Sequence, residues 1–216
     1  SAQNPDLGTV RGNFQMDAQY YREDSIIGSP VFPEQVGSNS FLNLLYNRGK
    51  LQAGIRYEAY LPTMQGFLRN TGSGIPYRYI RWQDDRFDVT AGTFYEQFGS
   101  GMNIRSYEEW GLGFDNSIDG IRAKGAPVKG LYLTGFIGRQ RNATSNKIDN
   151  LSAGLIRGFD GEWDINTTFD SLQSKSRVRI GASFVSRYQA DEDPIINFLE
   201  NVAAMSARIS LNRGGF

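Results

Sequence analysis

The sequence predicts an all-β protein, an antiparallel transmembrane β-barrel of about ten strands, and three observations carry that expectation. Apolar and polar side chains alternate with a period of two along segment after segment. Long connections alternate with tight turns. No run approaches the roughly 18 apolar residues that a membrane helix needs. The mean hydropathy of −0.45 still suits strands that show lipid only at every second residue.

Taken in order, the first strand puts Val10, Gly12, Phe14, Met16, Ala18 and Tyr20 on one face and Arg11, Asn13, Gln15, Asp17 and Gln19 on the other. A second clear case sets Leu51, Ala53, Ile55, Tyr57 and Ala59 against Gln52, Gly54, Arg56, Glu58 and Tyr60. A third sets Phe87, Val89, Ala91, Thr93 and Tyr95 against Asp88, Thr90, Gly92, Phe94 and Glu96. Further strands are expected over 40–46, 77–83, 117–124, 130–139, 150–164, 177–188 and 202–212. Asn47-Arg48-Gly49-Lys50 and Gln83-Asp84-Asp85-Arg86 read as hairpin turns, with Gly125-Ala126-Pro127-Val128-Lys129 nearly as short. Between them run the long segments 22–39, 61–76, 97–116 and 189–201. In an antiparallel sheet this alternation collects long loops at one end and turns at the other, as in outer-membrane barrels; a soluble β-sandwich, the structural rival, has no reason to keep it.

The two ends of the chain add expectations of their own. Ser1-Ala2-Gln3-Asn4-Pro5 has the small residues and early proline of a processed, exported chain, and an arbitrary boundary accounts for it equally well. Leu211-Asn212-Arg213-Gly214-Gly215-Phe216 repeats the pattern of Tyr46-Asn47-Arg48-Gly49-Lys50-Leu51, after which a strand follows. The chain is therefore expected to be one β-barrel domain over 1–216, the N-terminal part of a larger barrel stopping at a hairpin turn. The rival is a complete ten-stranded barrel closed by Phe216.

Composition restricts the chemistry. The 216 residues include 23 basic and 23 acidic side chains, no cysteine and no histidine. Cys/His zinc sites and any nucleophile or triad that needs histidine or cysteine are excluded. A formal net charge of zero gives no pull toward nucleic acid. Gly99-Ser100-Gly101 lacks the Lys-Ser/Thr and the helix entry of a phosphate loop. The adjacent acids Glu108-Glu109 and Asp84-Asp85 point to opposite faces on a strand and cannot form a facing catalytic pair. Asp191-Glu192-Asp193 lacks the ordered spacing of a calcium loop. No catalytic residue, metal or cofactor is assigned.

The charge pattern carries more. Arg11, Asp17, Arg56, Glu58, Asp88, Glu96, Arg177, Arg179 and Arg208 fall on the face opposite the apolar one. Inside a barrel charges of both signs satisfy one another and water, whereas on the lipid face a basic residue costs on the order of 2–4 kcal/mol at the midplane. The segment 97–116 is too long for an idle hairpin loop, and Met102, Ile104, Tyr107, Trp110, Leu112 and Phe114 give it apolar surface to bury. It is expected to fold inward, with Arg105 hydrogen-bonded to an acid among Glu96, Glu108, Glu109 and Asp115. Together with Arg56 and Glu58, these residues are the candidates for a lumen constriction. Phe14, Met16, Leu51, Ile55, Tyr57, Phe87 and Val89 are the candidates for the lipid face.

Tyr95-Glu96-Gln97-Phe98-Gly99-Ser100-Gly101, the following Arg105-Ser106-Tyr107-Glu108-Glu109, and Asp115-Asn116-Ser117 with Gly120 form a block that resembles a family of uncharacterised Bacteroidota outer-membrane β-barrel proteins. The resemblance covers roughly residues 87–140 and implies a barrel fold and the bacterial outer membrane, with the lipid bilayer and lipopolysaccharide as surroundings. It implies no catalytic residues. The function expected from all this is a passive pore or transport barrel. The alternative is a non-catalytic scaffold or accessory subunit of an outer-membrane complex, secretion or surface-motility machinery, meeting other envelope proteins through the long loops.

Overall fold

The computed structural model describes residues 7–28, 34–62, 64, 71–143, 148, 150–169, 176–190 and 199–213. The acidic run Asp191-Glu192-Asp193, the N-terminal Ser1–Pro5 and the final Gly214–Phe216 lie outside the described residues.

The chain is all-β. Ten long strands, β1 (Thr9–Tyr20), β2 (Val36–Arg48), β3 (Leu51–Tyr60), β4 (Gly72–Gln83), β5 (Phe87–Phe94), β8 (Ile118–Val128), β9 (Leu131–Arg141), β10 (Leu151–Asp164), β11 (Ser176–Tyr188) and β12 (Asn201–Arg213), follow one another as antiparallel neighbours in a single sheet. Two short strands, β6 (Glu108–Glu109) and β7 (Phe114–Asp115), make a separate hairpin inside the connection from β5 to β8. Each of the ten expected strands is present. The order runs from β1 to β12, so the described pairings establish a ten-stranded antiparallel sheet and not its closure.

The boundaries moved where local composition and the ladder disagree. β2 starts at Val36 because Val36, Gly37 and Ser38 pair with Tyr20, Gln19 and Ala18, although glycine and serine read as loop. β8 runs on through Ala126-Pro127 to Val128, with a register shift between Gly125 and Val128. Proline has no N–H to give a ladder, and an irregularity is where a strand tolerates it. The turns are correspondingly tight, at residues 49–50, 84–86 and 129–130, against connections of 21–35, 61–71 and 95–117. The connection 165–175 is the longer one between β10 and β11. It opens with the one-turn helix α1 (Ile165–Thr168), whose N-cap Asp164 accepts a hydrogen bond from the Thr167 amide at 3.0 Å.

Register converts the period-two pattern into rows across the sheet. Phe14, Leu42 and Tyr57 stand in one row on one face, and Asn13, Asn43 and Arg56 stand in the next row on the other. In the same way Asp88, Lys124 and Thr134 share a row, as do Thr90, Arg122 and Phe136.

The chain divides into two compact units, residues 1–80, 108–116 and 141–150 forming one and residues 81–107, 117–140 and 151–216 the other. In the first unit Phe41, Tyr60 and Ile148 form the buried apolar cluster. The second is built on Phe94, Phe98, Ile104, Ile118, Phe136, Ile156 and Val185.

Candidate functional site

Within the first unit five charged side chains meet. Arg56 and Glu58 are two apart on β3, so they share a face, and Arg56 Nε donates to Glu58 Oε1 at 2.7 Å. The same guanidinium forks onto Glu108 of β6, with Nη1 to Oε2 at 2.9 Å and Nη2 to Oε1 at 2.7 Å, and reaches Asp115 Oδ2 of β7 at 3.5 Å. Arg141, the last residue of β9, donates through Nη1 to Asp115 and lies 3.5 Å from Glu58 Oε2 through Nη2. The Tyr60 hydroxyl donates to Glu58 Oε2 at 3.1 Å.

The sequence folds this way locally because Glu108 and Asp115 are direct partners across the β6–β7 hairpin. Like charges in that position repel, and the Arg56 guanidinium in contact with both offsets part of the repulsion. Aromatic rings close the site: the Arg56 guanidinium stands 4.9 Å from the Trp110 ring and 5.0 Å from the Tyr77 ring, and Trp110 packs edge-on against Phe41 at 4.7 Å. Glu58 is only 2% exposed and Arg56 5%. With three carboxylates on two guanidinium groups, burial, Asp115 and Glu58 outweigh the attraction of Arg56 and hold the Glu108 carboxyl above its ordinary range.

The second unit carries its own ion pairs on strand faces. Arg81 forks onto Asp88 at 2.9 and 2.6 Å, Arg122 lies 3.8 Å from Asp88 and 3.5 Å from Glu96, and Lys124 reaches Glu96 at 2.8 Å. Arg208 forks onto Asp160 at 2.6 and 2.8 Å and neighbours Glu162 at 3.4 Å, while Arg179 meets Glu162 and Arg177 meets Asp164.

In the same unit the segment after β5 folds back on itself. Gly99 and Gly101 both take positive φ, 53° and 87°, a turn that L side chains adopt rarely, and it lets Gln97 bridge Arg105. Phe98 and Ile104 are thereby buried with Phe136 and Val185, and the Asn103 amide donates to Ser206 of β12 at 3.0 Å. Ser106 ties the return to Glu96, accepting from the Glu96 amide at 2.8 Å.

Of the residues singled out from sequence, Arg56, Glu58, Glu108 and Asp115 are brought into one network. Glu96 is buried in the other unit, on Lys124 and Arg122. Glu109 is exposed. Arg105 is exposed as well, its guanidinium 5.1 Å from the Tyr107 ring. The guanidinium that Glu108 and Asp115 grip is Arg56. Met102, Tyr107, Trp110 and Leu112 keep much of their surface exposed, so the burial expected of the 97–116 segment is carried by Phe98 and Ile104. Arg141 was missed, because at the end of a strand and beside a polar loop nothing marks it as inward. Phe14, Met16, Leu51, Ile55, Tyr57, Phe87 and Val89 are all exposed.

None of the curated proteins compared matches the chain. A family model described as a family of unknown function, DUF6029, matches residues 1–216. The match runs the length of the sequence, and the chain belongs to the DUF6029 family.

Proposed function

We propose that the protein is a transmembrane β-barrel of the bacterial outer membrane that works as a passive pore or transport barrel, its charged strand face lining the lumen and its apolar face meeting lipid and lipopolysaccharide. One observation carries the reading, an inverted pattern of burial. Glu58, Arg56, Asp115, Arg141 and Asp164 are buried while Phe14 is 64% exposed and Met16, Ile55, Phe87, Ile121, Ile137, Phe159 and Ile209 are exposed with it. A sheet that folds in water does the opposite. A sheet solvated by acyl chains on one face and by charge pairs and water on the other has this pattern. Exposed apolar residues in adjacent register, such as Phe159, Phe184 and Met205 on β10, β11 and β12, make the face continuous across strands.

The charge networks and the folded-back segment support a restricted lumen. Fixed pairs such as Arg56 with Glu108 are the means by which a pore wall narrows and selects. No catalytic role is part of the proposal.

Conductance of the purified protein in planar bilayers tests it. Discrete conducting steps are expected, with ion selectivity altered by Glu58→Gln. Protein that inserts into bilayers and never conducts would retire the pore. Stable co-purification of envelope proteins on the long loops would then favour the scaffold role. Monomeric solubility without detergent would overturn the barrel itself.

A further inference from the structure

We propose that the polar face of β1–β4 holds a binding site for a saccharide bearing a carboxylate. The inference deepens the pore reading and rests on it only in taking this face as the lumen wall. A cavity of about 370 Å³ lies here, entirely within the first unit, lined by Arg11, Asn13, Asn43, Gly54, Tyr77 and Tyr79 among others.

What distinguishes this patch is unspent polar chemistry. Other arginines on the described strand faces are matched to carboxylates, Arg81 with Asp88, Arg208 with Asp160 and Arg56 with Glu58, Glu108 and Asp115, while Arg157 and Arg187 donate to serine hydroxyls. Among the described residues the side chains of Arg11, Asn13 and Asn43 have no partner, although Asn13 and Asn43 are direct neighbours across the β1–β2 ladder. Two amides and a guanidinium fork therefore face the cavity with their donors available.

Beside them is a rigid aromatic surface. The Tyr79 ring packs on β3 at Gly54, where a Cβ would overlap the ring, so the glycine lets the ring approach the strand closely. The Tyr79 hydroxyl is fixed by a hydrogen bond to Gln52 Oε1 at 3.0 Å, and Gln52 is fixed in turn by donating to Asn47 Oδ1 at 2.9 Å. Tyr77 stands edge-on to Tyr79 with ring centroids 5.7 Å apart. A pyranose offers the complement, an apolar C–H face for a ring and a rim of hydroxyls for planar amides. The carboxylate is specified by Arg11. Arg56, the other guanidinium at the cavity, already has three carboxylates, whereas Arg11 has none among the described residues, and its fork matches a carboxylate in two-point geometry.

Titration calorimetry on the detergent-solubilised protein, without any bilayer, tests the site with three probes: trigalacturonate, maltotriose and acetate. Saturable binding of trigalacturonate is expected, at least tenfold tighter than maltotriose, with acetate failing to compete at equal carboxylate concentration. Arg11→Ala and Asn43→Ala should each weaken trigalacturonate at least tenfold. Both variants are first shown to keep the parent's circular dichroism, and Asn13→Ala replaces either one that does not. Absence of saturable binding, equal affinity for maltotriose, full competition by acetate or undiminished binding by the folded variants would each overturn the proposal. Binding without conductance removes the pore and leaves the site; conductance without binding removes the site alone.

Discussion

At the scale of single residues the protein turns on Arg56. It touches Glu58, Glu108 and Asp115 at once, and Arg141 adds a second guanidinium to Glu58 and Asp115. Removing one partner of a buried charge network leaves the others uncompensated, so Arg56→Ala should lower stability by about 3–5 kcal/mol in denaturant titration. Arg56→Lys keeps the charge and loses the fork, and should recover part of that loss. Glu108 adds a pH dependence of definite sign. Its carboxyl is held above the ordinary glutamate range, so the folded hairpin binds this proton more tightly than the unfolded chain does. The stability of the β6–β7 hairpin should therefore increase as pH falls through the window between the raised value and the ordinary one, and decrease as pH rises through it. Hydrogen exchange of the 108–115 amides across that window measures it, and Glu108→Gln should flatten the profile.

At the scale of elements, the segment from Tyr95 to Tyr107 behaves as a piece of core. Phe98 and Ile104 are buried against residues of β9, β10 and β11. Phe98→Ala should cost about 3–5 kcal/mol, the range for deleting a buried aromatic ring, and should raise exchange in 97–107 before it does so in the strands. The ten strands were legible in the sequence because the ladder enforces a period of two wherever one face is apolar. The short pair β6 and β7 was not, since two residues carry no period and the hairpin exists through the grip of Arg56 on Glu108 and Asp115. The site was half legible for the same reason. Arg56 and Glu58 declare a shared face by their spacing, whereas the meeting of Glu108, Asp115 and Arg141 depends on contacts between residues far apart in sequence.

At the scale of the whole molecule, the central claim is that one face of the sheet meets lipid and the other a charged, watered interior. A charge placed on the apolar face should then be costly: Ile55→Arg should destabilise the protein in bilayers by about 2–4 kcal/mol near the midplane. Gln52→Arg, on the opposite face of the same strand, should cost far less. The most direct measurement uses the absence of native cysteine, which makes any introduced cysteine unique. Spin labels are placed one at a time at positions 51 to 58 of β3 in protein reconstituted into lipid vesicles, and their collision rates with oxygen, which concentrates in lipid, and with a water-soluble nickel chelate are compared. The account predicts a period of two, with oxygen dominating at positions 51, 53, 55 and 57 and falling at 52, 54, 56 and 58. Oxygen access that does not alternate along β3, or nickel access that is highest at positions 51, 55 and 57, would contradict it.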